Sequence, residues 1–282
     1  MNINEIPTEL LGQGSKIRLE RCGTEHDLYW KAALEVIEVI NDNNQKGEDT
    51  LMIVPYGPLG PYSRLVYLIN KYRISLRRCC FINMDEYLTE DLNYIDYNDP
   101  LSFRSGMDRI FYNLIDDELN LLPENRIFPI PGEENAVLET IERYQKLDMV
   151  WGGVGINGHF AFNEPPEPGE EVSNEEFINR KTRVLKISRE TRTINAFMNC
   201  SGDIDGIPAN CITVGMKEIF MADRIRMCMP RGWNAGALRK ILHGPATAAV
   251  PCSLFQNHKD AVLFAADDAL ASTVPEIRIY NK

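Results

Sequence analysis

Leu51-Met52-Ile53-Val54-Pro55-Tyr56-Gly57-Pro58-Leu59-Gly60-Pro61-Tyr62-Ser63 passes from four apolar residues through a Gly/Pro turn into a helical pattern. The apolar run has the length of a buried strand. Pro61, with Gly60 before it, suits a first helical position, and helical spacing continues over residues 62–71. A second apolar run follows at residues 79–83. Strand, helix and strand within about 30 residues form the unit from which parallel sheets are built.

The same alternation extends in both directions. Residues 27–41 place Leu28, Ala32, Ala33 or Leu34, Val36 and Ile40 on one helical face. Further strands are expected at 149–154, 183–187, 225–229 and 261–265, and further helices at 101–119, 136–144, 189–198 and 235–242. Short buried runs alternating with helices predict an α/β fold, a mainly parallel sheet with helices on both faces. No repeat, low-complexity tract or long linker interrupts the 282 residues, which read as one domain over 1–282.

Composition narrows the function. Thirty Lys and Arg against 41 Asp and Glu give a net charge of -11, a surface that repels nucleic acid and anionic membranes. No apolar run reaches the roughly 18 residues of a membrane span, and residues 1–5 lack signal-peptide character, so a cytoplasmic location is expected. Seven scattered cysteines without a CxxC pair read as reduced core residues. A small molecule is the expected partner.

In open sheets of this kind ligands gather at the carboxyl ends of strands, and three such turns carry chemistry. Residues 55–63 combine free loop amides with a helix start, an anion-binding arrangement in which Pro58 and Pro61 supply no N–H. Phe81-Ile82-Asn83-Met84-Asp85-Glu86-Tyr87-Leu88 leads from a strand into two adjacent carboxylates. Their side chains diverge, so only one can face a cleft, where partial desolvation would suit it to moving a proton at carbon. Capping of a helix by Asp85, or a solvated loop, is the alternative. Third, residues 151–166 gather four glycines, His159, Asn157 and Glu164. A carboxylate or amide beside an imidazole fixes its tautomer. His26, His243 and His258 have no such setting, and no second histidine or cysteine stands at metal-ligand spacing from His159.

Met84-Asp85-Glu86-Tyr87, the string Gly-x-Gly-x-x-Gly-His-x-Ala-Phe-Asn-Glu-Pro over residues 153–165, and Thr213-Val214-Gly215 resemble the glucosamine-6-phosphate deaminase (isomerase) family. The resemblance runs over residues 30–270, and the string from Gly158 to Pro165 separates these deaminases from the related 6-phosphogluconolactonases. It implies a modified Rossmann-like fold, catalysis without a cofactor or metal, and conversion of glucosamine 6-phosphate and water to fructose 6-phosphate and ammonia. By position it makes Asp85 the base that moves a proton between C2 and C1, His159 the ring-opening residue, Glu164 its supporting carboxylate and Arg192 a phosphate ligand. Some members of the family are homo-oligomers; no interface is legible here.

Three departures from the family pattern stand out. Asn157 replaces an aspartate beside the ring-opening histidine, and a charge restored there is expected to speed ring opening. Tyr56-Gly57-Pro58-Leu59-Gly60-Pro61 replaces a hydroxyl-rich phosphate loop, and Asn234, next to Trp233, replaces a lysine. The last two fall at one end of the expected ligand. Tyr56, Gly57, Gly60, Arg192, Trp233 and Asn234 are therefore candidates for binding a sugar whose distal group differs from phosphate. Two other functions fit the same residues: an aldose–ketose isomerase that releases no ammonia, and a non-catalytic sugar sensor.

Overall fold

Alternation along three strands sets the layers. In the computed structural model, which describes residues 2–274, Met52 and Val54, Cys79 and Phe81, and Met149 and Trp151 all enter one core. Their neighbours Leu51 and Ile53, Cys80 and Ile82, and Val150 enter another. A strand has side-chain period two, so a strand that is apolar throughout needs a covered layer on each face. Full burial of a side chain such as Phe81 is worth about 1.5–3 kcal/mol.

The elements in chain order are β1 (Arg18–Arg21), α1 (Glu25–Lys46), β2 (Thr50–Val54), α2 (Gly60–Tyr72), β3 (Cys79–Asn83), β4 (Asp85–Leu88), α3 (Phe103–Ile110), β5 (Arg126–Ile127) and α4 (Ala136–Tyr144). Then follow β6 (Met149–Gly153), α5 (Asn174–Ile178), β7 (Arg183–Lys186), α6 (Arg189–Asn199), β8 (Asn210–Thr213), α7 (Met216–Phe220), β9 (Arg224–Met229), α8 (Ala235–His243) and β10 (Ala261–Ala265). Seven strands form a sheet in the order β1-β10-β9-β6-β2-β3-β5, parallel at every pairing. Residues of α1 and α2 pack on one face, and residues of α4, α7 and α8 on the other. The expected α/β, modified Rossmann-like architecture is the one observed.

Three strand and helix expectations change. Leu34 is exposed and Ala33 takes the buried position on α1. The expected helix over 101–119 ends at Ile110, because Phe111 leaves helical geometry and packs its ring against Tyr62 and Phe81. Asp85 neither caps a helix nor lies in a loop. It opens β4, which joins β8 and β7 in a second, antiparallel sheet of three strands.

Met84 is the joint between the sheets: its N–H donates to Val54 O at 2.9 Å, and its carbonyl accepts from Val214 N at 2.8 Å. All seven cysteines are free thiols, five of them buried. No helix among the described residues is long and apolar enough to cross a membrane.

Candidate functional site

From β2 the chain moves outward to β3, whereas β6 is followed across the sheet by β9 and β10. The loops after β2 and β6 therefore diverge at a topological switch point, where open α/β sheets form ligand crevices. The two loops touch there: Gly153 N donates to Gly57 O at 3.3 Å. The loop after β6 carries Asn157, His159 and Glu164, and the joint after β3 carries Asp85.

Asp85 and Glu86 meet opposite fates. Glu86 is fully buried and accepts from Tyr87 N (2.8 Å), Phe103 N (3.0 Å), Arg104 N (2.9 Å), Arg104 Nε (3.2 Å) and Ser102 Oγ (3.1 Å). It anchors the N-terminus of α3, where backbone donors and the helix dipole favour an anion. Asp85 points to the other face. It pairs across β4 and β8 with Thr213, and directly opposed residues of an antiparallel pair share a face. Thr213 Oγ1 accepts from Phe162 N at 3.0 Å, so this face meets the loop that carries His159. Asp85 is 8% exposed. Burial pushes its carboxyl up to about 8, and the neighbouring Glu86 charge adds to the effect.

The imidazole of His159 is fixed on one side only. Its Nδ1 lies 2.8 Å from Asn157 Oδ1, 3.2 Å from Thr191 Oγ1 and 3.3 Å from Glu164 Oε2. Gly155 backs the ring: a Cβ at that residue would lie 2.0 Å from His159 Cε1, so only hydrogen fits. Glu164 Oε2 also accepts from Asn157 Nδ2 at 2.7 Å and from Ser188 Oγ at 3.1 Å. Burial would raise the Glu164 carboxyl, but His159 together with hydrogen bonds from His159, Asn157 and Thr191 outweighs it and brings the group down to about 2. The charge expected to help at position 157 meets an obstacle here. An aspartate would set its oxygen against Glu164 in place of the amide that now donates to it.

A wall of rings covers this end of the sheet. Tyr56 stacks on Phe103 with centroids 4.7 Å apart, and Phe103 also contacts Tyr87 and Phe162. Phe162 in turn lies 6.2 Å from the His159 ring. His159 is 8% and Glu164 9% exposed. An open depression of about 660 Å³ lies nearby, bordered by Pro166, Glu170, Ser173, Glu176 and Thr247; none of the four candidate catalytic side chains lines it.

The candidate binding residues divide. Tyr56 and Gly57 lie at the switch point, Tyr56 with one ring face already against Phe103. Asn234 is also there, fully buried, with Nδ2 donating to Val154 O at 3.0 Å and Oδ1 accepting from Arg231 N at 3.2 Å. Gly60 opens α2, where a Cβ would come within 2.1 Å of the Tyr29 ring; its smallness serves the contact between α1 and α2. Trp233 is half-buried in the 3-10 turn before α8. Arg192 Nε and Nη2 donate to the carbonyls of Ile204 and Ile207 at 2.9–3.2 Å, so the guanidinium braces the chain after α6.

Several contributors escaped the sequence reading. Ser188 has an N-cap residue type, but its second bond, to Glu164, is visible only in three dimensions. Thr213 stood in a recognised string without a role. Arg183, opposite Thr213 in β7, donates to Asn163 Oδ1 at 2.8 Å and steadies the same loop.

No family model matches the chain. Curated relatives are glucosamine-6-phosphate deaminases. That of Vibrio parahaemolyticus is 29% identical over 238 residues, covering 82% of this chain and 84% of the relative. That of Haemophilus influenzae is 29% identical over 251 residues, 85% of each. That of Exiguobacterium sibiricum is 28% identical over 219 residues, 78% of each. Among solved structures, a monomeric glucosamine-6-phosphate deaminase described as a missing link of the NagB superfamily shares the fold, with TM-score 0.77 and 24% identity over 90% of this chain and 98% of that one. A 6-phosphogluconolactonase from Trypanosoma cruzi also shares it, with TM-score 0.60 and 17% identity over 92% and 97%.

Proposed function

We propose that this chain is a divergent member of the glucosamine-6-phosphate deaminase family, an amino-sugar deaminase/isomerase in which Asp85, His159, Glu164 and Asn157 do the chemistry. The observation that carries the proposal is the contrast between two buried carboxyl groups that both act on the Cys211 thiol, Asp85 raised to about 8 and Glu164 lowered to about 2. Pairs of acids driven apart by their surroundings mark acid–base assignments.

The steps follow from the geometry. With Nδ1 engaged by Asn157 Oδ1, the free Nε2 of His159 takes the proton of the C1 hydroxyl and returns one to the ring oxygen as the C1–O5 bond breaks. The Glu164 anion at 3.3 Å stabilises the imidazolium formed between those transfers. Ionised Asp85 then removes the proton at C2 of the open aldehyde while O1 takes up a proton from solvent, giving an enolamine, and returns its proton to C1 as the nitrogen releases one to solvent, leaving an imine at C2. Water adds to the imine carbon and the C–N bond breaks, releasing ammonia and a ketose. Asp85 is strong enough as a base because burial has raised it, and no cation pairs with it among the described residues. Asp85 and His159 are each only 8% exposed, so a sugar reaches them only after the side chains around them move.

The distal group of the substrate differs from a phosphate ester. Arg192 is occupied by two carbonyls, Asn234 by Val154 and Arg231 N–H, and the Arg231 guanidinium by Glu25 at 3.0 Å. A charge-assisted bond to phosphate is worth roughly 1.5–3 kcal/mol, so a dianion gains little from these groups as they stand. The protein acts on a small molecule in the cytoplasm, without a cofactor.

Purified protein incubated with glucosamine, other free amino sugars and glucosamine 6-phosphate is expected to release ammonia and a ketose in equal amounts, fastest with an unphosphorylated sugar. Absence of turnover across amino sugars and aldoses contradicts the enzymatic reading. Tight, selective binding of the phosphate ester contradicts the distal-group reading.

A further inference from the structure

His243 ends α8, at the opposite end of the helix from Asn234. Gly12 N donates to His243 Nε2 at 3.0 Å. A backbone N–H can only donate, so Nε2 is the bare nitrogen of a neutral ring. Gly12 belongs to a strap, residues 2–14, that ties α8 to the edge of the large sheet. Leu11 enters the core that also holds Ala237, Leu238, Ile241 and Leu242 of α8, and Ile6 packs against the same core. On the other side Arg21 of the edge strand β1 donates to the carbonyls of Thr8 and Leu11. We propose that His243 is a proton-sensitive latch: its neutral imidazole holds the strap against α8, and a proton on Nε2 releases it.

The geometry leaves a protonated ring no way to keep the bond. The new N–H would point at the Gly12 N–H, donor against donor. Both nitrogens of an imidazolium are donors, so no rotation of the ring restores an acceptor. Little else of polar character ties the strap down near this point: Thr8 Oγ1 donates to Leu270 O at 3.1 Å, and Thr273 Oγ1 to Asn4 O at 3.3 Å.

The charges around the ring set the direction of the switch. A helix C-terminus ordinarily favours an imidazolium. Here Arg239, one turn back, opposes it. The guanidinium is 1% exposed, its Nη1 donates to Ala235 O at 3.4 Å, and its Nε is buried without a partner. Burial alone acts on Arg239, so no carboxylate among the described residues neutralises it. Lys240 shares the last turn of α8, and the strap carries Glu5 and Glu9. Of the other turns packed on α8, Asp267–Leu270 carries Asp267 and Asp268, Arg231 precedes Gly232–Asn234, and Pro251–Asn257 has no charged residue. Arg239 is the charged group that acts on the imidazole, and it adds to burial in lowering His243. The latched ring therefore takes a proton less readily than a free one, whose value is about 6.5. The latch holds above that value and weakens as pH falls through it.

The latch is independent of the deaminase reading, and its test needs no substrate. Hydrogen exchange is read by mass spectrometry at pH 7.5 and pH 5, each rate divided by that of the unstructured chain. Residues 2–14 are expected to open at least about fivefold and at most about 30-fold more at pH 5, with β2 and β3 unchanged. His243→Gln offers a side-chain carbonyl to the same N–H without titrating and is expected to behave alike at both pH values. His243→Leu offers no acceptor and is expected to leave the strap open to the same extent at both. A smaller rise in wild type, or an equal rise in His243→Gln, overturns the proposal. In protein labelled with 15N-histidine, with His243 assigned through His243→Gln, the neutral ring is expected to carry its proton on Nδ1 and to titrate below about 6.5. A proton on Nε2 of the neutral ring, or titration above that value, overturns it as well.

Discussion

Two buried carboxyl groups, Asp85 and Glu164, show how the same functional group is set to opposite tasks. Asp85 opens β4 with no side-chain hydrogen bond among the described residues, and burial moves it up to about 8. Glu164, on the loop after β6, is nearly as buried, yet the Asn157 amide, the Ser188 hydroxyl and the His159 ring gather at its Oε2 and it sits near 2. Burial alone does not decide ionisation; the supply of donors does. Glu86 sharpens the lesson, since one residue from Asp85 it receives three backbone N–H groups and becomes an anchor for α3.

The largest expected effect comes from removing the raised carboxyl. Asp85→Asn keeps the shape and abolishes the base, so ammonia release is expected to fall by about 10²–10⁴-fold. The same change is expected to stabilise the fold. A folded-state value raised above the unfolded value of about 3.9 means that ionisation opposes folding as pH rises, so the gain is absent at pH 4 and reaches at most about 4 kcal/mol at pH 7. Urea unfolding at the two pH values checks it. A variant that loses stability at pH 7 would show that Asp85 has partners.

Glu86 is expected to behave in the opposite way. Glu86→Ala leaves Arg104 and three backbone N–H groups without their acceptor, at a cost of about 3–5 kcal/mol measured by urea unfolding. Gly155→Ala tests the other side of the comparison. Its Cβ would overlap the His159 ring, and displacement of the ring by about 1 Å is expected to lower kcat roughly 10²-fold while the thermal midpoint changes little. The smallest effect is in the pH profile. Turnover needs ionised Asp85, so kcat/KM is expected to climb about tenfold per pH unit until it levels near pH 8. A profile that is flat from pH 6 to pH 8 would mean that a different group limits the reaction.

The sequence made some of this legible and hid the rest for identifiable reasons. β3, β10 and α4 have the expected bounds because each is a run of uniform pattern that opens after a polar residue, Arg78, Asp260 and Asn135. β4 was missed because Asp85-Glu86 reads as a turn until β8 pairs with it. Asn157, His159 and Glu164 were found as a string, since one loop carries all three. Arg192 was found by position, but nothing in residue type tells a guanidinium that faces a ligand from one that braces carbonyls of the chain beyond α6. Asn157 is of the same kind: no spacing rule encodes its 2.7 Å contact with Glu164.

Deuterium placement in the product tests the central claim most directly, namely that the carboxyl at position 85 shuttles a proton between adjacent sugar carbons. With a free amino sugar in deuterated water, wild type is expected to give a ketose carrying at most one solvent deuterium, located at C1, with one ammonia released per ketose, and Asp85→Asn is expected to give neither. Ammonia and ketose formed at the wild-type rate by Asp85→Asn would contradict the account.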